Sequence, residues 1–502
     1  MTNDPGHRVT IRITRRAALG MLAVGAGGLL AACGSPPAAA PPAKPTEAPA
    51  KPAEAAKPAA TAAQPAAPVA QPAGTTAPAA AKPAVAGPAV SKKLSGELRL
   101  HVRTGNEADT LGEFLPAFTE STGVKVNVES VPTNEFFTKL QTLIAGGTAG
   151  DVWWGAYRDV PRQAHNKVVL QLDDLVAAEK FDLTQDWPAA IDASRYLGGL
   201  YALPFKLHPG HAALYYNVNH LSEAGITMPE KAVPSWDALI DMAGKLRKES
   251  GGRVERHGLY MPMTLDSGTN TLQAIMVYAR AWGGDVFSED GKKALFTDQP
   301  TKDAIRFMAD LIHKHKAAVP GQEFIQNVED LMIAQKVSLT QAASSTKSIT
   351  TKIGGKFEVR NVIMPPGPAG KVGTVAITDN MFINAKTKNP DAAWELLKML
   401  CGFEVGVRLG GGTGGNASGT SGGRKDVFND PRLTSQPLHP IFIDLVAQAP
   451  APRIPANLRL DEAATATYQA VGPVWLGERQ TDDAFFAELN GVVQAVMDRP
   501  IA

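Results

Sequence analysis

Apolar and polar residues recur along the chain in an order typical of α/β proteins. Residues 97–102 alternate polar and apolar, which is the period of a half-buried strand. Apolar residues then recur at helical spacing over 111–118, alternate again over 124–128, and return to helical spacing over 136–144. A third apolar run begins at 151–154. This order predicts a mostly parallel sheet with helices on both faces.

Two later stretches mix the same periods, which extends the α/β prediction over the rest of the chain. One includes residues 200–216 and helical periods over 236–247 and 269–282. The other spans residues 356–403, where apolar side chains share one helical face with Cys401. We therefore expect Cys401 to be a small buried core residue rather than a reactive thiol.

The composition of the front of the chain differs from that of the rest. Residues 34–90 contain 14 Pro and 24 Ala. Such a segment lacks the large apolar side chains needed to offset the entropy of ordering, so it predicts a disordered tether. From about residue 96 onward the composition is ordinary, and the remaining length can bury a large core.

Charge and cysteine content exclude several classes of protein. The formal net charge is +1, and residues 1–32 carry four Arg against one Asp, so the rest of the chain is weakly acidic. Such a body has no general electrostatic attraction for nucleic acid. Two cysteines, Cys33 and Cys401, exclude a disulfide scaffold.

The first 33 residues have the parts of an export signal. Basic residues, including the pair Arg15-Arg16, precede an apolar run of about 14 residues, which is too short to span a bilayer. The arginine pair resembles a twin-arginine signal. Leu30-Ala31-Ala32-Cys33 resembles a bacterial lipobox, which implies cleavage after residue 32 and acyl chains on Cys33. Residues 33–95 would then form a lipid-anchored tether.

Six segments between residue 199 and residue 394 carry a family resemblance. They are GLYALP at 199–204, ALYYN at 213–217, AGI at 224–226, PSWDAL at 234–239, AWGGD at 281–285 and KNPDAAW at 388–394. In this order they resemble the bacterial extracellular solute-binding proteins of the maltose and multiple-sugar type. The resemblance runs from about residue 96 to the C-terminus.

The resemblance implies a type II periplasmic-binding-protein fold, with two α/β lobes that close over a ligand in the cleft between them. Each lobe is expected to hold a mostly parallel sheet flanked by helices. The implied first lobe comprises residues 96–207 and 366–412, and the second comprises 208–365 and 413–502. The implied crossings between the lobes lie near 206–211, 362–367 and 411–423.

Sugars are recognised by aromatic faces and by planar polar groups that bind hydroxyls. Loops at the carboxyl ends of the predicted strands and the contact positions of the family select ten candidate ligand-binding residues. They are Arg103, Asn106, Glu107, Trp154, Tyr157, Arg158, Asp266, Trp282, Asp379 and Asn380. Trp153 and Trp154 face opposite sides of one strand, and Trp154 lies nearer the strand end. Asp266 has a helix cap, and Trp282 core packing, as an alternative role.

The remaining motifs do not indicate a metal site or a catalytic nucleophile. His208 and His211 fall in the first implied crossing and are expected to act as hinge residues rather than metal ligands. Residues 419–423 formally match G-x-S-x-G but lack the flanking strand and helix that a nucleophile needs. Residues 341–346 carry no aromatic ring where the family often has one, which argues against a long oligosaccharide. A small sugar, a phosphorylated polyol or another polar solute remains possible.

These features predict a substrate-binding lipoprotein of an ABC importer, anchored through Cys33 outside the cytoplasmic membrane. The expected ligand is an extracytoplasmic solute, a carbohydrate before other classes, and the expected partners are importer permease subunits. We expect a monomer with no cofactor, no metal, no nucleic-acid partner and no catalytic residues. Two alternatives stay open: an extracytoplasmic enzyme acting on a sugar or similar solute, and a chemosensory binding protein.

Overall fold

A computed structural model describes most of the chain after the predicted tether. It describes residues 94–262, 268–323, 330–343, 350, 352–411 and 422–501. All of them belong to one of the two compact units of the chain, Ala81–Ala502. Cys33, Asp266 and most of the glycine-rich segment lie outside the described residues, as do the predicted signal and the tether up to residue 93.

The described residues form two five-stranded sheets and a short hairpin. In chain order the strands are β1 (Gly96–Arg103), β2 (Val124–Val131), β3 (Val152–Ala156), β4 (Arg195–Tyr196), β5 (Gly199–Leu200), β6 (Leu203–Pro209), β7 (Ala213–Asn217), β8 (Lys248–Ser250), β9 (Arg253–Tyr260), β10 (Val337–Ala342), β11 (Val359–Ile363) and β12 (Ala376–Ile383).

Helices connect and cover these strands. In chain order they are α1 (Asn106–Thr122), α2 (Thr133–Ala145), α3 (Asp159–His165), α4 (Asp173–Glu179), α5 (Pro188–Asp192), α6 (Val218–Glu223), α7 (Trp236–Leu246), α8 (Gly268–Ala281), α9 (Gln299–His313), α10 (Asp330–Ile333), α11 (Pro390–Leu400), α12 (Phe403–Gly411), α13 (Lys425–Phe428), α14 (Pro431–Thr434), α15 (Pro440–Gln448), α16 (Leu460–Trp475) and α17 (Asp483–Met497). Short 3₁₀ turns lie at Leu183–Gln185 and Gly321–Glu323.

The first sheet has the strand order β2-β1-β3-β12-β6. β1 pairs in parallel with both β2 and β3, while β12 is antiparallel to β3 and β6. Four of the five strands therefore run in one direction, as the alternation of strands and helices predicts. The single reversed strand, β12, comes from a part of the chain far from the others and enters the sheet between β3 and β6.

The second sheet, with the order β11-β7-β10-β9-β8, is mixed rather than mostly parallel. Only β9 and β10 pair in parallel; β7 is antiparallel to β10 and β11, and β8 is antiparallel to β9. β8 and β9 are joined by Gly251-Gly252, both at positive φ, which is the geometry of a tight hairpin. The expectation of a second mostly parallel sheet is corrected on this point, while the α/β class is confirmed.

Two connections carry the chain between the sheets. The first is the turn from β6 to β7, and the second is the segment from β11 to β12. Of the third implied crossing only a short end is described, where the carbonyl of Gly423 accepts a hydrogen bond of 3.0 Å from the Trp187 amide. The lobe boundaries at 207/208, 365/366 and 412/413 stay predictions.

Each sheet has its own apolar core. Cys401 lies in the core of the first sheet with 8% of its surface exposed, as the helical period predicts, and burial raises the pKa of its thiol. A third cluster lies where β6 and β7 join the sheets and includes residues of α15. None of the helices in the described ranges is both long and apolar enough to cross a membrane.

Candidate functional site

Four charged side chains meet where β1 ends, and we call them the charge cluster: Arg103, Glu107, Lys206 and Asp379. Arg103 Nε donates to Glu107 Oε2 at 3.0 Å, and Arg103 Nη2 lies 3.4 Å from Asp379 Oδ2. Lys206 Nζ lies 3.0 Å from Asp379 Oδ2 and also contacts the Glu107 carboxylate. Each acid therefore pairs with both bases.

Local structure explains why these four residues meet. Arg103 is the last residue of β1, and Glu107 lies one residue into α1, so the two are four positions apart across a tight turn. The positive end of the α1 dipole also favours a carboxylate at Glu107. Lys206 and Asp379 are opposite each other on β6 and β12, so their side chains share one face of the sheet.

Burial makes the pairing in the charge cluster obligatory. Desolvation alone would raise the pKa of Glu107 and of Asp379, but the charges of Lys206 and Arg103 outweigh it and hold both pKa values below their ordinary range. Desolvation alone would lower the pKa of Arg103, yet Asp379 and Glu107 raise it. Because the carboxylate pKa values are lowered on folding, this stabilisation is present at neutral pH and is lost as pH falls through them.

Three aromatic rings, those of Trp154, Phe136 and Phe137, pack beside the charge cluster. The Arg103 guanidinium lies 3.8 Å from the centre of the Trp154 ring. Phe136 and Phe137 pack on the same indole, with ring centres 5.0 and 5.2 Å away, and Trp154 is 2% exposed. Its neighbour Trp153 points to the other side of β3, where its indole N–H donates to Gln163 at 3.0 Å. The buried Trp154 ring thus packs against the Arg103 guanidinium and holds it in place.

The loop after β3 reaches elements that pack on the second sheet. The Tyr157 hydroxyl accepts a hydrogen bond of 3.1 Å from Gln273 on α8, and Tyr157 joins the core of the second sheet. Arg158 lies 3.5 Å from Asp461 on α16, and its guanidinium stacks 4.4 Å from the centre of the Phe137 ring. These contacts join the two sheets across the cleft at the carboxyl end of β3.

His208 and His211 line the first connection between the sheets. Both rings are partly accessible, yet desolvation lowers the pKa of each to about 4, so both are neutral at physiological pH. The Nδ1 atoms have no hydrogen-bond partner within the described part of the chain. The two Nδ1 atoms are thus buried polar groups without a protein partner in this part of the chain, which marks both rings as candidates for a further hydrogen bond.

The connection around these rings is tied to the second sheet by hydrogen bonds. Gln341, on β10, donates through Nε2 to the carbonyl of His211 at 2.7 Å. Its Oε1 accepts a bond of 2.8 Å from the hydroxyl of Tyr278 on α8. The Gln341 side chain therefore holds the backbone of the first connection.

The remaining sequence candidates lie elsewhere. Asn106 donates to the Leu409 carbonyl at 3.4 Å beside α12. Asn380 follows Asp379 on β12 and so faces the opposite side of the sheet, where it accepts a bond of 2.7 Å from Ser194. Trp282 packs among Trp236, Tyr278 and Phe307. The structure brings Arg103, Glu107, Trp154 and Asp379 together, with Tyr157 and Arg158 in the adjoining loop.

Sequence reasoning missed three residues that complete this arrangement: Lys206, Gln273 and Asp461. Lys206 left a signal, because it is the one charged residue in the apolar run Leu203–Pro209, and a lone charge in a buried strand requires a partner. No sequence pattern marked Gln273 or Asp461, since their roles depend on how α8 and α16 pack. Among the described residues, no group of three or more His, Cys, Asp or Glu is arranged to hold a metal ion.

Comparison with known proteins defines the class. Residues 104–402 match the sequence family described as bacterial extracellular solute-binding protein. The match covers more than half of the chain, so the protein belongs to this family and the resemblance inferred from the sequence is confirmed.

Relatives and solved structures agree with this assignment. An erythritol/L-threitol-binding protein of Mycolicibacterium smegmatis is 26% identical over 58% of this chain and 63% of that protein. An ABC substrate-binding protein from Listeria monocytogenes in complex with cycloalternan has a TM-score of 0.67 at 18% identity, over 79% of this chain and 98% of that one. An ABC transporter solute-binding protein from Thermotoga lettingae bound with α-D-tagatose has a TM-score of 0.66 at 21% identity, over 81% and 100%.

Replacing Lys206 tests the charge cluster. Lys206→Met leaves two buried carboxylates with one cation, and we expect a loss of roughly 3–5 kcal/mol in the free energy of unfolding. Lys206→Met combined with Asp379→Asn removes both charges of one pair and should lose less. The matched control is Lys125→Met, because Lys125 forms an exposed pair of 3.1 Å with Glu97 on the same sheet. Urea denaturation that gives equal losses for Lys206→Met and Lys125→Met would contradict the proposed pairing.

A buried carboxyl outside the charge cluster, that of Asp186, gives the structure a pH dependence of opposite sign. Asp186 is buried beside Arg424, to which it forms a backbone bridge at the end of the glycine-rich segment. Desolvation raises its pKa from 3.8 to about 7, although Arg424 partly opposes this. Since the folded-state pKa lies above the unfolded one, ionisation destabilises the fold progressively as pH rises from about 4 to about 7.

Asp186→Asn should therefore stabilise the protein at pH 8. The gain is at most roughly 4 kcal/mol, because each pKa unit corresponds to about 1.4 kcal/mol. It should shrink as the pH approaches 4, where the native carboxyl is neutral too. Urea titrations at both pH values measure it, with Asp192→Asn, at an exposed position on α5, as the control. An equal effect of Asp186→Asn at both pH values would show that Asp186 does not titrate on folding.

Proposed function

We propose that this protein captures a small uncharged polyhydroxylated solute, a sugar or a sugar alcohol, between its two sheets and delivers it to an ABC importer. The observation that carries the proposal is the charge balance of the cleft. The charge cluster and the loop after β3 contain three cations, Arg103, Lys206 and Arg158, and each is paired with carboxylates. A charged solute would need an opposite charge that is not already engaged.

Within the domain, the ranges that the structure does not describe contain few charged residues. Residues 412–421 contain none, residues 263–267 and 324–329 contain one acid each, and residues 344–349 contain one base. The rings of His208 and His211 are neutral at physiological pH. Buried carboxylates, guanidinium groups and imidazoles can each donate to or accept from hydroxyl groups, so a neutral polyol finds partners without bringing a charge.

The ligands of similar proteins support the same class. The relatives include an erythritol/L-threitol-binding protein, and the similar structures hold cycloalternan and α-D-tagatose. We propose that Arg103, Glu107, Tyr157, Arg158 and Asp379 face the solute, with His208 and His211 at the first connection. Trp154 acts beneath Arg103 rather than as an open stacking surface.

We propose further that the cleft opens and closes about the connections between the two lobes. The Tyr157–Gln273 and Arg158–Asp461 contacts form only when the lobes approach, so a solute that favours their approach shifts the population to the closed form. The proposed protein binds without catalysis, acts as a monomer outside the cytoplasmic membrane, and is held there by a lipid anchor on Cys33. Importer permease subunits are the proposed partners.

Matched neutral and phosphorylated ligands test the proposed solute class. Calorimetry should find a neutral tetritol, hexitol or small sugar that binds with a dissociation constant near 1 μM, about −8 kcal/mol. Its phosphorylated counterpart, such as D-tagatose 6-phosphate beside D-tagatose, should bind at least about a hundredfold more weakly, because each cation of the charge cluster and of the loop after β3 is already paired. Tighter binding of the phosphorylated member would refute an uncharged solute.

A variant of the contact between Tyr157 and Gln273 provides a second test of the proposed solute binding. Tyr157→Phe removes the hydroxyl that Gln273 binds and should weaken the same ligand about tenfold, the loss of roughly one hydrogen bond in a buried setting. Lys125→Met lies far from the contact and should leave the affinity unchanged. If Tyr157→Phe binds as tightly as the native chain, the closed form does not depend on this bond.

A further inference from the structure

A cavity lies apart from the charge cluster, beside the segments that connect the sheets, and we call it the hinge cavity. Its volume is about 500 Å³. It is bounded by the end of α8, the segment before β12 and the segment after α15. The polar lining residues that matter are Arg280, Asp285, Lys371, Thr374, Gln448 and Arg453.

The lining of the hinge cavity has an excess of positive charge. Arg280 Nε donates to Asp285 Oδ2 at 3.0 Å, and Arg453 Nε lies 3.4 Å from the same oxygen. Two arginines therefore share one carboxylate oxygen. Lys371 is exposed at the rim and forms no ion pair within the described ranges. Asp285 is the only acid among the lining residues, so three cations face one anion.

The two arginines differ in how fully they are engaged. Arg280 also donates to the carbonyls of Thr374, Pro450 and Ala451 at 3.1–3.4 Å, which holds its guanidinium in place. Arg453 donates through Nη1 to the Phe287 carbonyl at 2.8 Å. Its Nη2 has no hydrogen-bond partner in the described part of the chain, and its side chain is 36% exposed. Arg453 can therefore offer N–H donors to a molecule in the cavity.

The electrostatics of Arg280 agree with this excess. Burial lowers the pKa of Arg280, Asp285 opposes that effect, and Arg453 lowers the pKa further, which leaves it below the ordinary arginine value. A guanidinium in such surroundings lacks sufficient negative charge nearby. An anion in the cavity would supply it.

We propose that the hinge cavity binds a small oxyanion of the sulfate or phosphate type, held by Arg453 and Lys371 above the Arg280–Asp285 pair. The planar guanidinium of Arg453 matches two oxygens of such an anion, and Lys371 supplies a second charge. This site shares no residue with the charge cluster or with the loop after β3.

The position of the hinge cavity gives oxyanion binding a mechanical consequence. Lys371 lies in the segment that leads to β12 of the first sheet, and Arg453 lies in the segment between α15 and α16. Arg280 belongs to α8, which packs on the second sheet. An anion bound to Lys371 and Arg453 therefore joins two connecting segments to one helix and restrains their relative movement.

Sulfate is the appropriate probe, because its charge does not change with pH near neutrality. Thermal unfolding and calorimetry on the full chain, with sodium sulfate against sodium chloride at matched ionic strength, should give a saturable stabilisation by sulfate alone. Lys371→Gln combined with Arg453→Gln should weaken sulfate binding at least about tenfold, because both charged contacts are lost. Inorganic phosphate should behave as sulfate does.

The controls separate the site from general salt effects. Sulfate stabilises many proteins by exclusion from their surface, and that effect is the same for native and variant chains. Arg306→Gln combined with Lys245→Gln is the matched control, since Arg306 is similarly exposed at 34% and Lys245 is an exposed lysine on α7. This control should keep the native response. A sulfate response that is linear, or that the Lys371/Arg453 variant retains, would overturn the proposal.

Discussion

The candidate site depends on one constraint: two carboxylates buried at the end of β1 must each meet a cation. Glu107 and Asp379 lie far apart in the sequence, and among the described residues Lys206 and Arg103 form the ion pairs that compensate them. In a medium of low dielectric constant an unpaired carboxylate would be protonated or would disrupt the fold. The pairing therefore fixes how β12 and β6 lie against the turn between β1 and α1, and the two acids and two bases of the cluster balance each other.

Much of the first sheet could be predicted from the sequence because its information is local. Strand alternation over 97–102 and helical spacing over 111–118 fall inside β1 and α1, and the helical face that contains Cys401 packs in the core. The mixed direction of the second sheet could not be predicted in this way. Whether β7 runs parallel or antiparallel to β10 is decided by how the chain leaves β6, and apolar periodicity contains no information on strand direction.

The candidate site, like the two sheets, could be predicted from the sequence only in part. Arg103 and Glu107 follow a predicted strand, so their position at its carboxyl end was expected, and Asp379 was selected through the family resemblance. Asn380 shows the limit of that reasoning, since adjacent strand residues face opposite sides and only one of the two can join the cluster. Asp461 shows another limit, because its contact with Arg158 joins residues about 300 positions apart that share no local pattern.

The charge cluster and the hinge cavity contain similar residues but differ in their balance of acids and bases. In the cluster two acids and two bases alternate, so every charge is compensated and a neutral molecule suits the space. In the hinge cavity two arginines share one aspartate oxygen, and a lysine at the rim adds charge without an ion-pair partner among the described residues. Composition alone cannot distinguish these cases, because both contain Arg, Lys and Asp. The ratio of acids to bases within hydrogen-bonding distance decides which class of molecule each space can hold.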